Sequence, residues 1–265
     1  MKTAKIPSLT LQRNLVVALL IAIAAAAWFW LIRREIGPDV PMAMNTPTMG
    51  MDAPLFLAVW IIMMIAMFPT ALPMILTFHR VQAGMRGRSE TFVSTWVFVG
   101  GYLLVWVLAG IFAFAGATGA ETITAHMGTS AATAGRIGGM LLIIAGAYQL
   151  SPLKDFCLAK CRTPTSFILT SWRDGNWGAV RMGWEHGLFC LGCCWLLFVA
   201  LFPLGIMSIA AMATVTVLIL AEKTLLIGER IAKISGIALL LYGGAVLVLP
   251  QLLPNFPAAA VMTMN

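Results

Sequence analysis

The sequence predicts an all-α fold: a polytopic bundle of about seven transmembrane helices that form a single membrane domain over residues 1–265. The chain is 60% hydrophobic and only 10% charged, and its mean hydropathy is +0.93. Soluble proteins carry about 25% charged residues, so this composition favours a lipid environment. Apolar segments of about 20 residues, the length that crosses a bilayer core, recur along the chain.

The apolar segments predict the spans in chain order as 14–32, 54–78, 92–117, 134–151, 183–202, 205–222 and 233–250. The fifth and sixth segments are the closest together, and Pro203 and Gly205 mark the turn between them. We therefore expect a tight helical hairpin there, and without that turn the count falls to six. Pro69 and Pro73 lie inside the second segment and predict a kink that frees backbone carbonyls.

The charge pattern predicts the orientation of the bundle. The net charge is +7, but the basic residues are spread over loops and form no stripe, so we expect no nucleic-acid partner. Of the 17 Lys and Arg residues, all but Arg33, Arg34 and Arg136 fall in the N-terminal segment or in the loops after the second, fourth and sixth spans. Because cytoplasmic loops are enriched in Lys and Arg, this asymmetry predicts a multi-pass protein of the bacterial inner membrane, N-terminus in and C-terminus out. We interpret the first span as an uncleaved helix that contacts the bilayer.

The fifth span carries a stripe of metal-ligand side chains: His186, Cys190, Cys193 and Cys194. At 100° per residue they fall within about 100° of one another on one helix face. Thiolate and imidazole together favour soft or borderline ions such as Cu(I) and Zn(II). The stripe is too extended for one helix to surround an ion, so a second element must complete a site. Neighbouring helices could approach closely at three small residues, Gly183, Gly187 and Gly192. The alternative is that these cysteines are inert and pack as small hydrophobes.

A second thiol pair, Cys157 and Cys161, lies in the preceding cytoplasmic loop. In a helix their spacing places both on one face. All five cysteines then lie near the cytoplasm, where thiols stay reduced. The pair predicts metal binding or thiol redox chemistry, with a spectator role as the alternative.

Methionines form two further groups of soft ligands. An outer loop holds Met42, Met44, Met49 and Met51, and one face of the second span holds Met63, Met67 and Met74. Thioethers bind Cu(I) without losing a proton, which suggests outer capture and inward transfer towards the thiols. Met also fills gaps in any apolar bundle, so packing is the rival interpretation. We interpret the neighbours Glu222 and Lys223 as an interfacial ion pair or cap, with Glu222 as a possible inward ligand.

Three blocks of the chain, at 63–69, 148–162 and 183–195, resemble a bacterial family of predicted metal-binding integral membrane proteins. The resemblance covers about residues 55 to 250 and implies a metal site without a settled function. Phe68 departs from the family's run, which has another Met there, and the outer Met loop lies outside the matching region.

The combined features predict an integral membrane protein that binds a soft metal ion, copper in preference to zinc, for handling, transport or delivery. We expect a periplasmic or membrane metal-handling partner. With no nucleotide-binding loop and no Ser-His-Asp pattern, we expect no enzymatic activity. Two alternatives stay open. Cys190-x-x-Cys193 has redox spacing and is typical of a thiol-disulfide or electron carrier, or the protein is a structural subunit of a membrane complex.

Overall fold

The structure is a computed structural model that describes residues 8–36, 47–86, 88–127, 130–205 and 208–254, and within these ranges it is helical without any strand. The α-helices are α1 Leu9–Ile36, α2 Ala53–Ala66, α3 Leu72–Arg86, α4 Arg88–Met127, α5 Ala131–Gln149, α6 Pro152–Arg162, α7 Pro164–Thr170, α8 Gly175–Leu204, α9 Ile209–Thr224 and α10 Gly228–Val248. Short 3₁₀ helices cover Phe68–Thr70 and Pro250–Leu252. The predicted all-α fold is confirmed.

Five helices in the described part of the chain are long and apolar enough to cross a membrane. They are Leu9–Arg34, Thr91–His126, Ala131–Gln149, Gly175–Leu204 and Gly228–Val248, which contain the first, third, fourth, fifth and seventh predicted spans or most of each. The other two predicted segments form shorter helices: α2 with α3, and the 16-residue α9. The total of seven spans and the orientation therefore stay predictions.

The second predicted span is broken where its prolines predict a kink. α2 ends at Ala66, a single 3₁₀ turn covers Phe68–Thr70, and α3 begins at Leu72. Pro69 has no backbone N–H, so it cannot continue the helical hydrogen-bond ladder. Trp28 of α1 donates its indole N–H to the Ala66 carbonyl at 3.0 Å. An indole from a neighbouring helix thus satisfies a carbonyl at the break, as an apolar environment requires.

Helices α4 and α8 approach each other through glycines. A side-chain carbon added at Gly183 would lie 2.1 Å from the Phe98 carbonyl oxygen, and one added at Gly101 would lie 2.2 Å from the Val180 carbonyl oxygen. The expectation that Gly183 admits a neighbouring helix is confirmed. This close approach brings the aromatic side chains of α4 onto the face of α8 that carries the predicted stripe.

We predict that Gly183→Ala lowers the free energy of unfolding by about 1–3 kcal/mol, the usual cost of overpacking. The added methyl group meets backbone atoms, which cannot rotate away as a flexible side chain can. The matched control is Gly100→Ala on α4, where an added carbon meets no atom of the described residues within 4 Å. Thermal unfolding in detergent measures both variants, and equal stability of the two would contradict the packing described here.

The short helix α6 follows α5 after a sharp turn. Ser151 caps α6 by accepting a hydrogen bond from the Lys154 backbone N–H at 3.3 Å, and Pro152 occupies the first turn, where its missing N–H costs nothing. The buried face of α6 packs against α8 and presents Lys154, Cys157, Leu158 and Cys161. The turn at the end of α5 therefore places the second thiol pair beside the stripe.

Candidate metal centre

The predicted stripe on α8 is buried along its whole length. His186, Cys190, Cys193 and Cys194 are each no more than 3% exposed. The Cys193 and Cys194 thiols donate to the Cys190 carbonyl at 3.1 and 2.8 Å. Both thiols therefore turn back along α8 towards Cys190, and the three sulfur atoms gather around one turn of the helix.

The two thiols of α6 lie beside this turn of α8. Cys161 Sγ lies 3.9 Å from Cys193 Sγ. Cys157 Sγ packs on Gly192, where an added side-chain carbon would lie 2.8 Å from the sulfur. The predicted helical face shared by Cys157 and Cys161 is confirmed, and all five cysteines are free and buried.

The separation between Cys161 and Cys193 fits a shared metal ion. A disulfide needs sulfurs about 2.05 Å apart, so 3.9 Å is too long for a bond. With metal–thiolate bonds of about 2.3 Å, two sulfurs on one ion lie between about 3.8 Å in tetrahedral geometry and about 4.6 Å in linear geometry. In the structure the two thiols form a hydrogen bond, and the same distance is compatible with two thiolates on one soft ion.

The surroundings of the two α6 thiols favour their protonated form. Burial, with a smaller contribution from Cys193, raises the pKa of the Cys157 thiol above its ordinary value. Hydrogen bonds with Cys190 and Cys193, together with burial, raise the pKa of the Cys161 thiol well above its ordinary value. Because a metal ion binds the thiolate, an ion that binds Cys161 must displace its proton.

Cys190 is the thiol with polar partners from other helices. Lys223 of α9 donates from Nζ to Cys190 Sγ at 3.0 Å, and the Tyr102 hydroxyl of α4 lies 3.3 Å from the same sulfur. The lysine ammonium can compensate the charge of a thiolate there. The interpretation of Glu222 and Lys223 as an ion pair with each other is wrong, because Glu222 pairs with Lys154 at 2.7 Å.

A buried polar network fixes α6 in place. Lys154 Nζ and Glu222 Oε2 form an ion pair whose side chains are 0% and 2% exposed. Gln149 of α5 bridges the pair, since it accepts from Lys154 and donates to Glu222 Oε1 at 2.9 Å. It also donates to Ser235 of α10 at 2.8 Å. The network joins α5, α6, α9 and α10 and holds the thiol face of α6 against α8.

A small cavity of about 10 Å³ lies beside Cys190, with room for about one water molecule or ion. Its walls come from the broken helix, α4, α8 and α9. The lining residues are Met64, Met67, Thr70, Tyr102, Trp106, Cys190, Cys194, Phe198, Ile219 and Lys223. Met67, which the sequence predicted as a ligand, therefore lines the same cavity as the Cys190 and Cys194 thiols. Met64, about one helical turn earlier in the chain, lines it too.

The other predicted ligands lie apart from this cavity. Met63 and Met74 are 1% and 2% exposed and pack in the apolar core. The His186 ring stacks on Tyr102 at 5.6 Å and on Phe98 at 6.3 Å, and its buried Nδ1 atom has no hydrogen-bond partner among the described residues. The packing of His186 is therefore aromatic, and a metal-binding role for it stays a prediction.

The outer methionine loop is described only in part. Met42 and Met44 lie outside the described residues. Met49 and Met51 pack against the core, and the neighbouring Thr48 donates from its backbone N–H and its hydroxyl to Glu121 at 2.6 and 2.7 Å. The second half of the loop is therefore attached to the end of α4.

Among the described residues, no three or more His, Cys, Asp or Glu side chains are arranged to hold a metal ion. The soft donors that the described residues do bring together are a pair of thiols, Cys161 and Cys193, and the methionine and cysteine sulfurs that line the cavity.

Comparison with known proteins identifies the family. A family model described as "PpoB2: Copper chaperone" matches residues 57–246, well over half of the chain. The chain belongs to this copper chaperone family. No curated protein and no solved structure matches it. The predicted resemblance to a metal-binding membrane family is confirmed, and the family description favours copper as the metal.

The part of the chain shared with the copper chaperone family contains the whole candidate site. It begins within α2 and ends within α10, and so includes the five cysteines, the cavity and Lys223. The sequence interpretation missed Met64 and Lys223. Met64 adjoins Met63 in sequence, and only the rotation of α2 about its axis decides which side chain lines the cavity. Lys223 follows Glu222 in sequence, which suggests that these two residues pair. Only the structure shows that Glu222 pairs with Lys154 instead.

Proposed function

We propose that this protein handles Cu(I) inside the bacterial inner membrane, where the buried thiols of α6 and α8 bind the ion for delivery to a metal-handling partner. The protein is a binding and transfer protein rather than an enzyme. The observation that carries the proposal is the pair Cys161 and Cys193, with sulfurs 3.9 Å apart and further thiols from Cys190 and Cys194 around the same helical turn.

The chemistry of the cluster suits a transferable ion. Thiolates are soft ligands that select Cu(I) over harder ions. Burial keeps water and oxygen ligands away from the metal, so sulfur is the dominant donor. With several thiols side by side, the ion can exchange one sulfur ligand at a time, which permits release without a free-ion intermediate. Membership of the copper chaperone family supports copper as the cargo.

The competing function is a membrane thiol-disulfide carrier. Its support is the same Cys161–Cys193 contact, because a small shift would bring the sulfurs to bonding distance. Thiol titration distinguishes the two functions. A copper site keeps all its thiols under mild oxidants once Cu(I) is bound, whereas a redox carrier loses a pair of thiols and regains it with a reductant.

The thiol pair predicts unequal effects of the two α6 cysteines. Cys161→Ser is expected to weaken Cu(I) binding by at least about tenfold, the lower end of losses seen when residues that support a ligand are removed. Cys157→Ser is the matched control, because Cys157 lies on the same helix face but packs on Gly192. Competition with a Cu(I) chelator under anaerobic conditions measures both. Equal affinities of the two variants would contradict the Cys161–Cys193 assignment.

For topology, we propose the N-in, C-out arrangement, supported by the distribution of basic residues. Reporter fusions near residues 85, 165 and 228 are expected to give cytoplasmic signals, and fusions near residues 45 and 125 outer signals, because Lys and Arg are retained on the cytoplasmic side. A cytoplasmic signal at residue 45 would reverse the orientation.

A further inference from the structure

The cavity beside Cys190 brings together sulfur atoms of two kinds. Its walls contain the thioethers of Met64 and Met67 from α2 and its C-terminal cap, and the thiols of Cys190 and Cys194 from α8. All four residues are 5% exposed or less. With a volume of about 10 Å³ the cavity has room for one ion.

We propose that this cavity is a second Cu(I) site, in which the thioethers of Met64 and Met67 bind the ion together with the Cys190 thiolate. It is separate from the thiol pair Cys161 and Cys193 and shares the Cys190 turn of α8 with it. Cu(I) therefore passes between a thioether-rich and a thiolate-only site by exchange of ligands at Cys190. The inference rests on the proposed function, since it takes Cu(I) as the cargo.

The helix break lies at the cavity and positions the Met67 thioether there. Met67 is the last residue of the α2 hydrogen-bond ladder, and its N–H bonds to the Met63 and Met64 carbonyls at 3.2 Å. Beyond it the chain turns through Phe68–Thr70, and Thr70 also lines the cavity. Discontinuous helices are a common means of building ion sites at membrane depth. Met64 therefore reaches the cavity from within α2, whereas Met67 and Thr70 reach it from the break.

The charges at the cavity match a monovalent ion. With the Lys223 ammonium 3.0 Å from Cys190 Sγ, Cu(I) and the Cys190 thiolate leave one net positive charge, and Cu(I) with a second thiolate, that of Cys194, leaves none. A divalent ion with the same ligands and the lysine leaves one more positive charge in either case. An uncompensated buried charge is costly, so the cavity favours Cu(I) over zinc.

Packing alone is the rival explanation for buried methionines, and the chain offers a matched control for it. Met63 and Met74 are as deeply buried as Met64 and Met67 but do not line the cavity. A pair of Leu substitutions at Met63 and Met74 therefore repeats the chemical change without touching the proposed ligands. Leu replaces Met with little change in volume, so both double variants are expected to fold.

The test uses the full-length protein labelled with selenomethionine, purified in detergent and loaded anaerobically with Cu(I). X-ray absorption at the copper edge detects a selenium neighbour directly, and it separates thioether ligands from thiolates. The wild-type protein is expected to show copper–selenium scattering. Met64→Leu with Met67→Leu is expected to lose that scattering, and Met63→Leu with Met74→Leu to retain it.

Each other outcome overturns a defined part of the account. Bound copper with sulfur scattering and no selenium removes the cavity site but leaves the thiol pair and the proposed function standing. The cavity site is overturned if selenium scattering survives the loss of Met64 and Met67. It is also overturned if the scattering disappears when Met63 and Met74 are replaced, because the thioether ligands then lie elsewhere. Failure of the wild-type protein to bind any Cu(I) overturns the proposed function itself.

Discussion

Cys190→Ser combined with Cys193→Ser is expected to remove most of the copper that the purified protein carries. The double change deletes one sulfur of the Cys161–Cys193 pair and the Cys190 sulfur that lines the cavity, so each of the two proposed sites loses a thiolate ligand. Serine hydroxyls are harder ligands that Cu(I) does not favour. The fold is expected to persist, because a hydroxyl at position 190 can keep the hydrogen bonds to Lys223 and Tyr102.

Copper per protein, measured by elemental analysis after purification from copper-supplemented cells, tests this expectation. Cys157→Ser is the control and should keep most of the wild-type copper. Wild-type copper content in the double variant, at equal abundance in the membrane fraction, would show that the metal lies somewhere other than the thiol cluster.

Loss of one partner of the buried ion pair is expected to have the largest effect on stability. Glu222→Met leaves the Lys154 ammonium buried with one fewer anionic partner, and a broken buried pair costs about 3–5 kcal/mol. Because the same network holds α6 against α8, the Cys157 and Cys161 thiols should also become more reactive. Thermal unfolding and labelling with a maleimide measure the two effects.

The matched variant removes both charges. Glu222→Met with Lys154→Met replaces the pair by apolar side chains, and such replacements are often neutral or stabilising. Most of the lost stability should therefore return, and thiol labelling should fall again. A double variant as unstable as Glu222→Met would mean that the side-chain shapes, rather than the charges, hold α6 in place.

Local patterns predicted the parts of the site that one helix determines. The spacing of Cys190, Cys193 and Cys194 places them on one face of any helix, and the structure buries that face. Pro69 lacks a backbone N–H donor whatever helices surround it, so the break in the second span was also predictable. Both features follow from covalent geometry and do not depend on neighbouring helices.

Features that depend on packing between helices could not be read from the sequence. Hydropathy alone placed the start of the fifth span at residue 183, whereas α8 begins at Gly175, because a helix can extend beyond its apolar part. The inward direction of Lys223 depends on Lys154, which is far away in sequence and pairs with Glu222. The choice of Met64 over Met63 as a cavity residue depends on how α2 rotates against α4 and α8.

The central claim is that the buried thiols form a Cu(I) site, and one measurement tests it most directly. The wild-type protein is purified anaerobically from cells supplied with both copper and zinc, and its metal content and copper-edge absorption spectrum are recorded together. The account predicts bound copper in the monovalent state with sulfur in its first coordination shell. Zinc in place of copper, copper ligated mainly by nitrogen or oxygen, or protein free of metal would contradict it.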